Sequence, residues 1–161
     1  MRLTSFSDYA LRVLMYLALH PDRFVTVPEI AAAFGISANH LMKVAQHLAT
    51  NRDVLTLRGP RGGLRLAHPA SAIRVGDIIR STEPDMALVA CAGCVIQPGC
   101  ALPAMLDEAM AAFMAVLDGY SVADLVASPA VLVDLLKRPS GETADPGNGI
   151  TEPSMLTSLL D

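Results

Sequence analysis

Two amphipathic segments that meet at Gly35 constrain the fold more than any other part of this sequence. Thr26 and Ser37 each precede a stretch of apolar residues at helical spacing, and both are residue types that cap helix N-termini. The first stretch ends at Gly35, and the second runs over residues 38–50. Two short helices joined by a glycine turn are typical of a helix-turn-helix.

The segments on either side of this motif extend it to a winged helix. Residues 8–20 predict a largely buried first helix, for which Ser5 or Ser7 would supply the cap. After the motif, residues 54–58 and 64–67 alternate in polarity around a glycine-rich turn, which indicates a β-hairpin. The predicted fold class is therefore mainly α with a small β-hairpin wing, together with a long helix further along the chain.

The charge of the chain is divided between its two halves. Residues 1–80 carry ten Lys or Arg and five Asp or Glu, whereas residues 81–161 carry two and eleven, so a total of −4 conceals a basic half of +5 and an acidic half of −9. A basic first half suits binding to phosphates. No apolar run reaches the roughly 18 residues of a membrane span, and the N-terminus lacks signal-peptide features, so we expect a soluble cytoplasmic protein.

The third predicted helix would place its N-terminal part in the major groove of DNA. Asn and Gln suit adenine, Lys suits guanine or phosphate, and wing arginines reach phosphate or the minor groove. The alternative is that these polar residues form only a solvated helix face. The predicted DNA-binding residues are Ser37, Asn39, His40 and Lys43, with Gln46 or His47 further along the helix, and Arg58, Arg61 and Arg65 of the wing.

The three cysteines of the chain, Cys91, Cys94 and Cys100, lie within ten residues. An odd number in a cytosolic chain argues against a disulfide framework and favours metal binding or redox sensing. Cys100 directly precedes a predicted long helix, residues 101–118, whose N-terminal dipole would stabilise thiolates. Three interpretations stay open: an iron–sulfur cluster, which usually needs a fourth ligand; a zinc site, although no paired Cys or His motif follows; and metal-free thiols.

The rest of the chain adds short helices and a polar tail. Residues 121–126 and 129–136 predict two short helices, and the Pro-, Ser-, Gly- and Thr-rich residues beyond them predict disorder. The predicted organisation is a DNA-binding domain over 1–82, a cysteine-rich cluster-binding loop over 83–100, a dimerisation helix and short helices over 101–137, and a disordered tail over 138–161.

Several motifs together resemble the NsrR/IscR family of winged-helix iron–sulfur regulators, and within it the NsrR-like nitric-oxide-sensing repressors. The resemblance covers residues 1 to about 136. It is carried by residues 1–12, 35–43, 58–66 and 69–77, and extended by Glu83-Pro84, the three cysteines and residues 117–126.

The resemblance implies a homodimer, packed through the long helix, that binds a palindromic operator in double-stranded DNA. It implies a [4Fe–4S] or [2Fe–2S] cluster on Cys91, Cys94 and Cys100, with a fourth ligand from Asp8 of the partner subunit and with Arg12 in the cluster vicinity. By spacing alone, Asp8 would be a charge at a helix start. Reaction of the cluster with nitric oxide would then weaken operator binding.

The sequence departs from the family pattern near the cysteines. The gap between Cys91 and Cys94 is shorter than the usual first gap, Ala101 stands where a basic residue is common, and Pro103 stands where the IscR subgroup has a His ligand. Two other functions stay open: a regulator that senses redox or iron status through the same cluster or bare thiols, and a small electron-transfer protein, which the helix-turn-helix disfavours. The sequence contains no catalytic Ser/His/Asp set, phosphate loop or acid pair, so we expect no enzyme.

Overall fold

The computed structural model describes residues 2–59 and 62–137 and confirms a mainly helical fold with one antiparallel hairpin. Among the described helices, none is long and apolar enough to cross a membrane. The elements in chain order are α1 (Ser5–Ala18), α2 (Val27–Phe34), α3 (Ala38–Thr50), β1 (Val54–Leu57), β2 (Gly63–Leu66), α4 (Val75–Thr82), α5 (Leu102–Asp118), α6 (Val122–Leu125) and α7 (Pro129–Leu136).

The helix-turn-helix forms where the capping residues and the glycine predicted it. The Thr26 hydroxyl accepts a hydrogen bond from the Glu29 amide, and α2 ends at Gly35 in the left-handed conformation, with φ 63°. A side chain there would be strained, whereas glycine is not. Ser37 occupies the N-cap position of α3, but its side chain makes no capping hydrogen bond.

The prediction that Ser5 or Ser7 caps the first helix is wrong. Thr4 is the cap, because its side chain accepts a hydrogen bond from the Ser7 amide at 3.3 Å. Ser7 lies inside the helix and is fully buried, and its hydroxyl bonds to side chains near the C-terminus of α4. The helix therefore begins at Ser5, three residues earlier than the apolar spacing indicated.

The larger core is built around α1, which packs against α3, α4, α6 and β2. Val13, Leu14 and Leu17 of α1 are buried together with apolar side chains of the other elements. Burial of each such side chain contributes about 1.5–3 kcal/mol, so this cluster is the main source of stability.

The hairpin is tied to the segment that precedes α2. Val54 pairs with Leu66 and Leu57 with Gly63. Val25 adds a bridge to Leu64, with amide-to-carbonyl distances of 2.9 and 2.7 Å. Arg61, a predicted DNA-binding residue of the wing turn, lies outside the described residues, as does the predicted tail over 138–161.

The long helix α5 rests on α4 through a second apolar cluster that includes Val75, Ile79 and Met114. Backbone hydrogen bonds fasten the chain after α5 to the residues around the start of α4: the Val75 amide donates to Tyr120 at 3.0 Å, and the Val122 amide donates to Ile73 at 2.9 Å. Val122 is fully buried in the core around α1. The C-terminal end of α5 is therefore fixed to α4 and to the core around α1.

An ion pair beside a glycine adds to this attachment. Arg80 of α4 donates two hydrogen bonds, of 2.7 and 2.5 Å, to the two carboxylate oxygens of Asp118 at the end of α5. Gly76, one turn before Arg80, is in such close contact that a Cβ there would lie 1.9 Å from Asp118 Oδ1. The absence of a side chain at position 76 leaves room for the Asp118 carboxylate beside Arg80.

Gly76→Ala is expected to lower the free energy of unfolding slightly, because the added methyl group displaces the exposed Asp118 carboxylate from Arg80. Chemical denaturation of the full chain measures the change. The cost should shrink in an Asp118→Ala background, where the obstructing carboxylate is gone. Gly99→Ala is the matched control, since a Cβ there meets nothing within 4 Å. A Gly76→Ala variant as stable as the wild type would contradict the close-approach argument.

Candidate nucleic-acid interface and cysteine loop

Helix α3, the helix predicted to enter the major groove and called the reading helix below, has one apolar side and one exposed polar side. Leu41, Val44 and Leu48 are fully buried against the core. The exposed residues Ser37, Asn39, His40, Lys43 and Gln46 all precede the last turn of the helix. The structure therefore brings the predicted reading residues of α3 onto one solvent-facing surface.

Of the two alternatives further along α3, Gln46 is exposed and His47 is engaged by the protein. The His47 ring packs edge-on against Phe6, with centroids 5.3 Å apart. Its Nε2 lies 2.9 Å from the side-chain nitrogen Nδ2 of Asn51 and 3.4 Å from the Ser81 hydroxyl. His47 thus joins α3 to α1 and α4, which leaves Gln46 as the candidate for base contact.

The cations of the candidate interface are free of carboxylates. Among the ion pairs of the described residues, none involves Lys43, Arg58 or Arg65. The Arg65 guanidinium lies over the ring of Phe24, 5.1 Å from its centroid, and this contact restrains the Arg65 side chain. By contrast, Arg23 binds Glu29. Unpaired cations on the wing and reading helix are available to phosphates.

The loop that carries the cysteines begins at a carboxylate anchored to α1. One oxygen of Glu83, Oε1, accepts hydrogen bonds from the Ser7 hydroxyl at 2.5 Å, the Thr4 amide at 2.8 Å and the Thr4 hydroxyl at 3.1 Å. Partial burial acts to raise the pKa of Glu83, but the bonds from Ser7 and Thr4 outweigh it and hold the pKa below its usual value. Sequence analysis missed this contact, because its partners are almost eighty residues apart.

The cysteines follow one another through successive tight turns. The Cys94 amide donates to the Cys91 carbonyl at 3.1 Å, the Gln97 amide donates to the Cys94 carbonyl at 3.1 Å, and the Cys100 amide donates to the Gln97 carbonyl at 3.3 Å. Cys91 and Cys100 are half-buried, and Cys94 is exposed. Cys91 lines a cleft of about 410 Å³ between the loop and α5, where Leu106 forms part of the wall.

Asp8, the predicted fourth ligand, lies on α1 in an ion pair with Arg12. The Arg12 Nε donates to Asp8 Oδ1 at 3.0 Å, and both side chains are about half exposed. The Arg12 guanidinium also lies 5.7 Å from the centroid of Phe34. In this chain, the Asp8 carboxylate is thus held by a cation of its own helix.

Thiolates and a carboxylate are donors that iron accepts, so the predicted residue types fit an iron–sulfur cluster. Their positions within one chain do not complete a site. Across residues 2–59 and 62–137, no three His, Cys, Asp or Glu side chains are grouped so that they could hold a metal ion. A cluster on Cys91, Cys94 and Cys100 would therefore require a different arrangement of the loop.

The model of the Rrf2 family, described as an iron-dependent transcriptional regulator, matches residues 3–128. The chain belongs to the Rrf2 family. It is thus a DNA-binding transcriptional regulator with a winged-helix fold, in which the hairpin is the wing.

Solved structures agree with this fold. The global cysteine regulator CymR (YrzC) of B. subtilis is 25% identical, with a TM-score of 0.68 over 79% of this chain and 97% of CymR. IscR of T. potens is 24% identical, with a TM-score of 0.66 over 79% of this chain and 87% of IscR. A Listeria innocua protein described as a transcriptional regulator is 23% identical, with a TM-score of 0.69 over 98% of this chain and 97% of that one.

Glu83→Gln is expected to lower the melting temperature (Tm) near neutral pH, because the amide accepts the three hydrogen bonds more weakly than the carboxylate. In the unfolded chain, the pKa of Glu is about 4.3. Because the pKa of Glu83 is lower in the folded protein, the ionised carboxylate stabilises the fold above about pH 4.3. This stability is lost as the pH falls through the pKa of Glu83 in the folded protein. The Tm difference from wild type, followed by circular dichroism, should therefore be largest near neutral pH and vanish in acid. Glu108→Gln, at an exposed position of α5, is the control; an equal difference at every pH for Glu83→Gln would contradict the anchoring role.

Arg65→Gln is expected to weaken binding to duplex DNA and to reduce the slope of log K against log salt by about 0.9 for each phosphate that the side chain neutralises in the wild type. Fluorescence anisotropy over a range of salt concentrations measures this slope. Arg23→Gln removes a guanidinium that binds Glu29 and should leave the slope unchanged. An unaltered slope for Arg65→Gln would mean that this residue does not contact phosphate.

Proposed function

We propose that this regulator is a homodimeric repressor that binds a palindromic operator, and that chemistry at Cys91, Cys94 and Cys100 controls its operator binding. The observation that carries the proposal is the anchoring of the cysteine loop to the DNA-binding module. Glu83, where the loop begins, is bonded to Thr4 and Ser7 of α1, and α1 packs directly on α3. A change in the loop therefore acts on the helix against which the reading helix rests.

The exposed side of α5 supports the dimer. Within this helix, all of which is described, Met114 alone is buried, whereas Met105 is 64% exposed and Val116 is 60% exposed. Leu102 and Tyr120 extend the same apolar surface. A second copy packed along α5 would cover these side chains, and a two-fold axis would present two reading helices to adjacent turns of a palindrome.

The first form of control is an iron–sulfur cluster that reacts with nitric oxide, as the resemblance to NsrR-like repressors implies. Cys91, Cys94 and Cys100 would be thiolate ligands, and the partner subunit's Asp8 would complete the set after release from Arg12. A bound cluster would supply an iron whose carboxylate ligand is held less firmly than thiolate, and therefore a position open to nitric oxide. Reaction of the cluster with nitric oxide would then weaken operator binding.

A second form of control is oxidation of the thiols without a metal. It is favoured by the exposure of Cys94 and by the absence of a metal-holding group among the described residues of one chain. The similar CymR is described as a global cysteine regulator. In this form, the same loop would signal through the oxidation state of its cysteines.

Purification without oxygen, with iron and sulfide measured per chain, distinguishes the two forms. The cluster form predicts a visible iron–sulfur spectrum that nitric oxide bleaches in parallel with loss of operator binding. The thiol form predicts a colourless protein whose operator binding responds to oxidant and recovers with reductant. A colourless protein indifferent to both reagents would contradict control at the cysteines.

Single substitutions, tested in the same assay, identify the ligands of the cluster. Cys91→Ala, Cys94→Ala and Cys100→Ala should each abolish the cluster spectrum, and a variant that keeps it removes that residue from the set. Asp8→Ala should make the cluster labile or alter its response to nitric oxide. Asp22→Ala, at another exposed carboxylate, is its matched control.

A further inference from the structure

Met42 is an apolar side chain on the polar side of the reading helix. Within α3, which is described throughout, the other large apolar residues, Leu41, Val44 and Leu48, are fully buried. Met42 is 60% exposed and belongs to neither apolar cluster of the described residues. The folded chain therefore gives this side chain little packing of its own.

The surroundings of Met42 fit DNA as the occupant of this face. Asn39 lies one turn before it, Lys43 follows it, and Gln46 lies one turn after it, all exposed. The helix contains no Asp or Glu, and Lys43 makes no ion pair among the described residues. A face with a lysine and no carboxylate suits a polyanion, and an apolar group on such a face is placed to contact an apolar group of the DNA.

We propose that Met42 is a specificity-determining residue that contacts the 5-methyl group of a thymine in the major groove. The inference rests on the proposed function, in which α3 enters that groove. In the major groove, the 5-methyl group of thymine is the apolar group that the bases expose. The flexible thioether of methionine can adapt its shape to such a contact. Asn39, one turn away, suits adenine, so the two residues together favour A·T pairs in each half-site.

The test replaces thymidine by deoxyuridine, which removes the methyl group and leaves the hydrogen-bonding edge intact. The full-length chain first selects its operator from a random duplex pool. Each thymidine of one half-site is then exchanged singly, and the Kd is measured at fixed salt. The wild type should bind about fourfold more weakly at one position, the ratio that corresponds to about 0.8 kcal/mol for one buried methyl group.

Two variants tie that position to Met42. Met42→Ala should bind the thymidine operator about fourfold more weakly and should no longer distinguish thymidine from deoxyuridine at that position, while effects elsewhere in the half-site persist. Met42→Leu, which keeps an apolar side chain of similar size, should restore the distinction. Both variants should melt as the wild type does, since position 42 is exposed.

The outcomes separate this inference from the function on which it rests. Specific binding with the same deoxyuridine profile for wild type and Met42→Ala would overturn the methyl contact alone. It would mean that Met42 faces solvent or a protein partner in the bound complex. Absence of any sequence-specific binding would overturn the proposed operator recognition and the methyl contact with it.

Discussion

Burial of α1 is the constraint on which the rest of this structure depends. The helix is covered by the reading helix, by α4, by β2 and by α6, so segments from both ends of the described chain use the same apolar surface. Any element that moves relative to α1 must exchange packed side chains rather than slide freely, because protein interiors are close-packed. This helix also carries Asp8 and receives the anchor of the cysteine loop at Thr4 and Ser7. The packing of the core and the proposed signal from the cysteine loop thus meet on one helix.

Local signals in the sequence were sufficient to predict the helix-turn-helix. Thr26 and Gly35 act through bonds within a few residues, so their types alone located α2 and its turn. The start of α1 could not be placed in the same way. Ser5, Ser7 and Thr4 are all capping residue types, and the choice among them depends on Glu83, which lies 79 positions from Thr4 along the chain. Long-range contacts of this kind leave no periodicity to detect.

The residues of the candidate site also differ in whether local sequence spacing could predict them. The exposed face of α3 followed from the spacing of Leu41, Val44 and Leu48, because burial of one side of a helix determines the other. His47 and Met42 did not follow from it: the first is drawn inward by Phe6 and Asn51, and the second is exposed although it is apolar. The role of Asp8 depends on a second chain. The predicted ligand set therefore stays a prediction, as do the domain limits.

The attachment of α5 at one end has a mechanical consequence. Gly76, Arg80 and Asp118 fasten the C-terminal end of the helix to α4, whereas the cysteine loop precedes its N-terminal end. Seventeen residues of α-helix separate the two ends, a length of about 25 Å. Because the helix is stiff, a displacement of about 4 Å beside Cys100 corresponds to a rotation of only about 10° at the pivot. In the proposed function, a rearrangement of the small loop would thereby become a change of angle between α5 and the elements that hold the reading helix.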